Sequence, residues 1–268
     1  MCSEKLKSLS TGFTELLMLE GYPVAVKLLK DVKGFESIRK PANRLAICQI
    51  FSQARYVHRT ILATEKEVSG CWGGLVVTGL AEIPKDVQSG ERYAGWTFQN
   101  PEAARKAVEV LPKFDVGEYK AVLVSPLDIC PTDPDVVLIF GNAARMLALS
   151  VGYLYDKGGL LEFSTVGIAG CGYAVVTPMK TKKPTVILPC NGMRLLALPN
   201  DTELVFSLPF ELAEEILEGV KFLKENGGPR IPTFWQHINW EPLPTISYIT
   251  KPEGPGPVWL KRKQTKGT

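Results

Sequence analysis

Hydrophobic residues recur at helical spacing in three segments of the chain, and these segments predict helices. The first extends from Glu4 to Leu19, the second from Asn142 to Tyr155 and the third from Pro209 to Lys224. Apolar residues at every third or fourth position form one face of an α-helix, which then packs against a core. A fourth helix is predicted from Pro101 to Val110, because proline is favoured at the first helical position.

Short runs of β-branched and apolar residues predict strands at 23–29, 119–124 and 136–140. The segment 172–188 predicts a β-hairpin, with a Lys/Thr/Pro turn between its two strands. Because helices and strands alternate irregularly, we expect an α+β fold with a mixed β-sheet flanked by helices.

A short internal repeat joins residues 137–149 to residues 186–198, which align without gaps. Each copy predicts a strand, a turn that holds an asparagine (Asn142 or Asn191) and a helix start that holds an arginine (Arg145 or Arg194). Such asparagines are typical helix caps with surface arginines beside them. The alternative is a pseudo-symmetric site in which both pairs face one small anionic ligand.

Lys27 places a charge in the otherwise apolar strand at 23–29. Strand alternation puts it on the face opposite Val26 and Leu28. Its ammonium group then either reaches solvent or faces an anionic ligand.

Length and composition favour one globular domain. The chain has 268 residues, 45% of them hydrophobic, and a formal net charge of +3. We expect a single domain at 1–228, with an extended proline-rich segment at 229–268 packed on it and ending in a frayed basic tail. The sequence has no basic stripe interleaved with aromatic residues, so nucleic-acid binding is not expected. No apolar run is long enough for a membrane span, and the N-terminus lacks a signal-peptide core, so a cytoplasmic location is predicted.

The cysteines carry the strongest chemical signal. Three of the six, Cys71, Cys171 and Cys190, lie in glycine-rich turns, and no C-x-x-C pair occurs. Glycine beside a thiol lets the backbone approach whatever the sulfur holds. Cys2 and Cys130 lack this context and are expected to pack as small hydrophobic residues.

Six short motifs follow one another along the chain, namely Pro23-Val-Ala-Val-Lys27, Cys48-Gln49, Cys71-x-Gly-Gly, Gly170-Cys171, Cys190-Asn-Gly-x-Arg194 and Glu203-Leu-Val-Phe206. Their order, over residues 8 to 225, resembles the DUF169 family of archaea and mostly anaerobic bacteria. The resemblance implies a single domain with glycine-flanked cysteines, in organisms rich in iron–sulfur chemistry, and it supplies no catalytic residues. It also adds Cys48, which precedes a predicted helix, to the cysteine set.

We therefore predict a cysteine-ligated metal site, with a [4Fe–4S] cluster ahead of zinc, for a redox, electron-transfer or sensing role. The expected ligands are Cys48, Cys71, Cys171 and Cys190. Lys27, Asn142, Arg145, Asn191 and Arg194 are the candidate residues for a small anionic ligand. The expected partners are that ligand, a redox protein and a second copy of the chain in a homodimer.

Two alternatives stay open, and whether the protein is an enzyme is undecided. One is a metal-free module that binds a small anion or a partner through the Asn/Arg turns. The other is a cysteine-nucleophile enzyme in which His58 or His237 acts as the base. A set of aromatic residues could either wall a pocket or close a core. Its members are Trp72, Trp96, Phe234, Trp235 and Trp240.

Overall fold

The protein folds into a six-stranded sheet with helices on both faces, as the computed structural model describes it for residues 3–226 and residue 231. The α+β prediction is confirmed. The helices are α1 Glu4–Leu17, α2 Ile47–Val57, α3 Glu65–Val68, α4 Trp72–Val77, α5 Lys85–Gln88, α6 Pro101–Glu109, α7 Ala143–Leu154, α8 Thr177–Thr181, α9 Asn191–Leu196 and α10 Ala213–Glu225. The strands are β1 Val24–Leu29, β2 Ile61–Thr64, β3 Ala121–Pro126, β4 Val136–Gly141, β5 Thr185–Ile187 and β6 Leu204–Pro209.

The strand order is β2-β3-β1-β4-β6-β5, and every described pairing between neighbours is antiparallel. The sheet was expected to be mixed. The difference arises because β3 and β4, which follow each other in the chain, are not neighbours in the sheet. β1 lies between them and pairs antiparallel with both.

The sheet divides the core into two layers, because alternate strand residues face opposite sides. One layer contains Val26 and Leu28 together with α2 and the segments that carry the glycine-flanked cysteines. The other contains Ala25 and packs against α1, α7 and α10. Cys130 lies in this second layer and is 1% exposed, in line with its predicted packing role.

The predicted helix starts largely agree with the structure. Ser3 caps α1, where its hydroxyl accepts a hydrogen bond from the Leu6 N–H at 3.3 Å. Asn100 caps α6, whose first residue is Pro101 as expected. The C-terminal helix begins at Ala213 rather than at Pro209, because Pro209 closes β6 and a 3₁₀ turn intervenes.

The hairpin predicted at 172–188 is wrong in its first half. Residues Gly172–Val176 form a π-helical turn that continues into α8, and only Thr185–Ile187 is a strand. Ala174, Val175 and Val176 are fully buried. A short apolar run that is buried on all sides has the same pattern in a helix as in a strand, so its periodicity could not distinguish them.

The internal repeat is present as two strand-to-helix units, β4 with α7 and β5 with α9. Both strands pair with β6, from opposite sides.

Candidate functional site

Four thiols converge on one pocket at the α2 face of the sheet. Cys48, Cys71, Cys171 and Cys190 all line a cavity of about 70 Å³. One water molecule needs about 10–15 Å³ of such space, so the cavity has room for several. The structure thus brings together the four cysteines that were predicted to share a site.

Each of these cysteines sits at the beginning of a helical segment. Cys48 is the second residue of α2, Cys71 directly precedes α4, and Cys190 directly precedes α9. Cys171 precedes the π-helical turn. π-Helical turns are rare and are frequently found at functional sites.

Two glycines let the cysteine-bearing segments pack against one another. A Cβ added at Gly74 would lie 2.9 Å from Cγ2 of Ile47, so glycine allows α4 to approach the start of α2. A Cβ added at Gly172 would lie 2.9 Å from the carbonyl oxygen of Pro112 and 3.0 Å from Cγ1 of Val77. The shortest contact at each position, 2.9 Å, is closer than real Cβ atoms come to another heavy atom. Glycine at these two positions therefore lets the segments that carry the thiols pack as they do.

Two other glycines leave space directly beside the sulfurs. A Cβ at Gly170 would lie 3.5 Å from Sγ of Cys190, and one at Gly73 would lie 3.6 Å from Sγ of Cys71. Any side chain larger than hydrogen would therefore occupy the volume next to these sulfurs.

Burial dominates the acidity of the thiols. It raises the pKa of Cys48 to about 12 and, with the negative charges that Cys71 and Cys190 would carry, opposes ionisation. Burial also raises the pKa of Cys171 well above its usual range, with the same neighbours adding to the effect. Helix starts were expected to favour thiolates. In this pocket the loss of solvation outweighs that effect, and an ionised cysteine would raise the pKa of its neighbours further.

Cys71 shows the two influences most clearly. Burial raises the pKa of its thiol, whereas the backbone N–H groups of Gly73 and Gly74 favour the thiolate and lower it. The net effect is still a raised pKa. A thiol of this kind loses its proton when a cation takes the proton's place.

Among residues 3–226 and 231, no group of three or more His, Cys, Asp or Glu side chains is arranged to hold a metal ion. Four sulfurs around one zinc ion, at Zn–S distances of about 2.3 Å, lie about 3.8 Å from one another. The cysteines share a cavity, but they do not form such a compact tetrahedron in this conformation.

An aromatic group covers the mouth of the pocket. Trp72, Tyr93 and Trp96 all line it, and the indole N–H of Trp72 donates to the hydroxyl oxygen of Tyr93. Tyr93 stacks on Trp96 with ring centroids 5.5 Å apart, and Trp96 is 61% exposed. The two tryptophans were candidates for a pocket wall. Tyr93 was missed, because nothing in its turn sequence distinguishes it from a surface residue.

The residues predicted to bind an anionic ligand do not gather at the pocket. Asn191 lines it, but the carboxamide oxygen of Asn142 accepts from the Arg145 N–H at 3.3 Å and caps α7. The guanidinium of Arg145 donates to the carbonyl oxygens of Leu17 and Met18, at the end of α1.

Arg194 and Lys27 also have protein partners. Arg194 lies 3.4 Å from an exposed carboxylate oxygen of Asp201. Lys27 donates to Asp135 at 2.8 Å. Lys27 projects from the sheet face opposite Val26 and Leu28, as predicted, and therefore away from the cysteine layer. Ligand binding by these residues stays a prediction.

The candidate base His58 lies outside the cysteine pocket. Its Nε2 is 2.8 Å from a carboxylate oxygen of Asp128, and its ring packs on Tyr22. His237, with Phe234, Trp235 and Trp240, falls outside the described residues. None of the described helices is long and apolar enough to cross a membrane.

Comparison with known proteins gives a family but no activity. The family model DUF169, described as "Uncharacterised ArCR", matches residues 12–219. An uncharacterized protein of Methanocaldococcus jannaschii is 31% identical over 219 residues, which cover 79% of this chain and 91% of the relative. No solved structure matches the chain.

Proposed function

Because this chain belongs to the DUF169 family, whose description names no activity, we propose its function from the cysteine pocket itself: it is an iron–sulfur protein. The ligands are Cys48, Cys71, Cys171 and Cys190, and the group that they hold is a [4Fe–4S] cluster. One observation carries the proposal, namely that four thiols from four separate segments line a single cavity.

The donor set fits such a group. Four cysteines are the usual ligands of a [4Fe–4S] cluster. In this pocket the thiols oppose one another's ionisation, as the raised pKa values of Cys48 and Cys171 indicate. A cationic iron centre removes that conflict, because it binds thiolates and compensates their charge.

The cluster is placed ahead of zinc because glycines flank Cys71, Cys171 and Cys190. Backbone N–H groups beside a cluster can donate hydrogen bonds to its sulfides and ligand sulfurs. Zinc bound by the same cysteines is the alternative, and metal analysis distinguishes the two.

The surrounding residues suit the chemistry of a cluster, which would supply one-electron transfer. The backbone N–H groups of Gly73 and Gly74 favour a thiolate at Cys71. Hydrogen bonds to ligand sulfurs raise the reduction potential of such sites. Trp72, Tyr93 and Trp96 limit the access of water. This arrangement supports a role in electron transfer with a redox partner or in redox sensing. We place the protein in the cytoplasm, where thiols stay reduced.

The proposal is tested by purifying the full-length protein without oxygen. A broad absorption band near roughly 400 nm, with about four iron and four sulfide per chain, is the expected result for a fully ligated cluster. Zinc without iron would replace the cluster with a structural zinc site. A colourless protein that stays metal-free after anaerobic incubation with iron and sulfide would contradict the proposal.

The last outcome would favour a metal-free binding module, in which the cysteines only pack. This second candidate is kept because, among the described residues, no group of three or more His, Cys, Asp or Glu side chains is arranged to hold a metal ion.

A further inference from the structure

A second pocket, separate from the cysteines, lies on the outer side of the segment that leads into α2. Its cavity volume is about 160 Å³. Three cationic side chains line it, Arg39, Lys40 and Arg59, and the carboxamides of Asn43 and Gln53 complete its polar wall. No carboxylate is among the lining residues.

The charge of this pocket is not compensated locally. Within the part of the chain that the structure describes, none of these three cations forms a salt bridge. Lys40 acts at longer range on the carboxylate of Glu67, and its charge is one of the causes that lower the pKa of Glu67. Glu67 is itself held by the N–H and hydroxyl of Thr64.

The sequence around the pocket is also free of acidic residues. From residue 37 to residue 64 there is no Asp or Glu, although the same stretch contains five Arg or Lys residues. One of these, Arg55, is buried and paired with Glu203. The remaining four, Arg39, Lys40, Arg44 and Arg59, leave a concentrated positive field on one side of the molecule.

We propose that this pocket binds a small oxyanion, with a phosphate or a carboxylate group as its recognised part. Guanidinium groups match the geometry of both groups, because their fork donates two parallel hydrogen bonds. The carboxamides of Asn43 and Gln53 supply further donors. A concave cavity of this size holds one such group, and a flat basic surface would instead suit a nucleic-acid backbone.

The pocket adjoins the cysteine site through the backbone of one residue. Leu45 lines the anion pocket, and its N–H donates to the carbonyl oxygen of Glu67 at 2.8 Å. Its own carbonyl oxygen accepts from the N–H of Gly70 at 3.2 Å, next to Cys71. The neighbouring Ala46 lines the cysteine cavity. The anion site does not depend on the cluster, and the two pockets are connected through the backbone of Leu45 and Ala46.

The test is a calorimetric titration of the full-length protein with inorganic phosphate and, separately, with succinate. The buffer is HEPES at low ionic strength, because exposed charges are screened over about 10 Å at 0.1 M salt. The variants Arg39→Gln and Arg59→Gln remove one charge each and keep much of the side-chain length. Lys33→Gln is the matched control, since Lys33 is exposed, carries the same charge and does not line the pocket.

Saturable binding of phosphate or succinate is expected, and the tighter of the two identifies the recognised group. Loss of one charge-assisted contact should weaken that binding by about tenfold or more in either arginine variant. Lys33→Gln should change it less than about twofold. The titration is repeated on wild-type protein freed of metal by a chelator, and unchanged binding there separates this result from the fate of the cluster proposal.

Three outcomes would overturn the inference. The first is the absence of saturable binding of either anion, and the second is an equal loss in all three charge variants. The third is displacement of the anion by a short DNA duplex bound more tightly in the same pocket, which would make the site a nucleic-acid surface.

Discussion

Arg55 and Glu203 form a buried ion pair that joins α2 to the turn ahead of β6. Their side chains are 3% and 6% exposed, and Nη1 of Arg55 lies 3.0 Å from Oε2 of Glu203. The guanidinium also lies over the ring of Phe140, 4.6 Å from its centroid, and Glu203 accepts from the Asn200 N–H. The pair fixes the helix that carries Cys48.

Glu203→Gln is expected to lower the free energy of unfolding by about 3–5 kcal/mol, because it leaves the Arg55 charge buried without its partner. The matched control is Asp201→Asn, two positions before Glu203. This change removes the exposed carboxylate that pairs with Arg194. An exposed pair contributes about 0–1 kcal/mol. Urea unfolding followed by circular dichroism measures both values, and equal losses would show that burial of the pair does not matter.

The same pair predicts a loss of stability in acid. Burial alone would raise the pKa of Glu203, but the hydrogen bonds and charge of Arg55 outweigh it and hold the pKa below the usual value of 4.5. A carboxylate whose pKa is lower in the folded state contributes stability above its unfolded pKa and loses that contribution as the pH falls through its folded pKa. Urea unfolding between pH 7 and pH 3 should therefore show a steeper decline for the wild type than for Glu203→Gln. Parallel curves would contradict the assignment.

Serine replacement of the pocket cysteines should abolish or strongly reduce the metal content. Cys71→Ser, Cys171→Ser and Cys190→Ser each remove one of the four proposed ligands. Cys130→Ser is the control, because Cys130 is buried on the opposite face of the sheet. Iron, sulfide and zinc are measured in each variant, with circular dichroism to confirm folding. Full metal retention in all three pocket variants would refute the proposed ligand set.

Gly74→Ala should destabilise the protein and disturb the cysteine pocket. The added methyl group would lie 2.9 Å from Cγ2 and 3.1 Å from Cβ of Ile47. Overpacking of this kind costs about 1–3 kcal/mol, which unfolding measurements detect. Gly192→Ala is the comparison, since its Cβ would meet nothing closer than Sγ of Cys190 at 3.9 Å. A Gly74→Ala protein as stable as Gly192→Ala would show that α4 can shift without cost.

Trp96→Ala should open the pocket mouth. In the metal-free protein, Cys71 is only partly buried, and its reaction with a thiol reagent should become several-fold faster once the stacked pair of Trp96 and Tyr93 is broken. Phe222→Ala removes another half-exposed aromatic side chain, on α10 beneath the opposite face of the sheet, and should leave the rate unchanged. Mass spectrometry assigns the labelled cysteine. An unchanged rate in Trp96→Ala would show that the aromatic group does not cover the thiols.

The sequence predicted best where one residue type has a strong local preference. Pro101 began α6 as expected, and Asn142 occupies a helix cap, since these effects depend only on neighbouring residues. The glycine neighbours of Cys71, Cys171 and Cys190 are also local, and they singled out three of the four cysteines that line one cavity.

Features that depend on distant parts of the chain were not predictable in the same way. Val175 and Val176 resemble a strand until α4 and the sheet bury them on all sides. The pKa of Cys48 is set by burial and by Cys71 and Cys190, none of which its local sequence reveals. The proposed oxyanion pocket was overlooked because Arg59 comes from a different segment than the adjacent Arg39 and Lys40. A count of acidic residues along 37–64 would have pointed to it.

Cys48 and Cys190 stand 142 positions apart in the chain, and this separation has a consequence for biosynthesis. Cys190 follows β5, an edge strand that is held in the sheet by β6 alone among the described strands. β6 itself begins only at Leu204. A nascent chain that has not yet emerged beyond β6 therefore presents dispersed thiols rather than a binding site. Contacts between such remote segments form slowly, so a metal donor in the cell would have to act after β6 has emerged and joined the sheet.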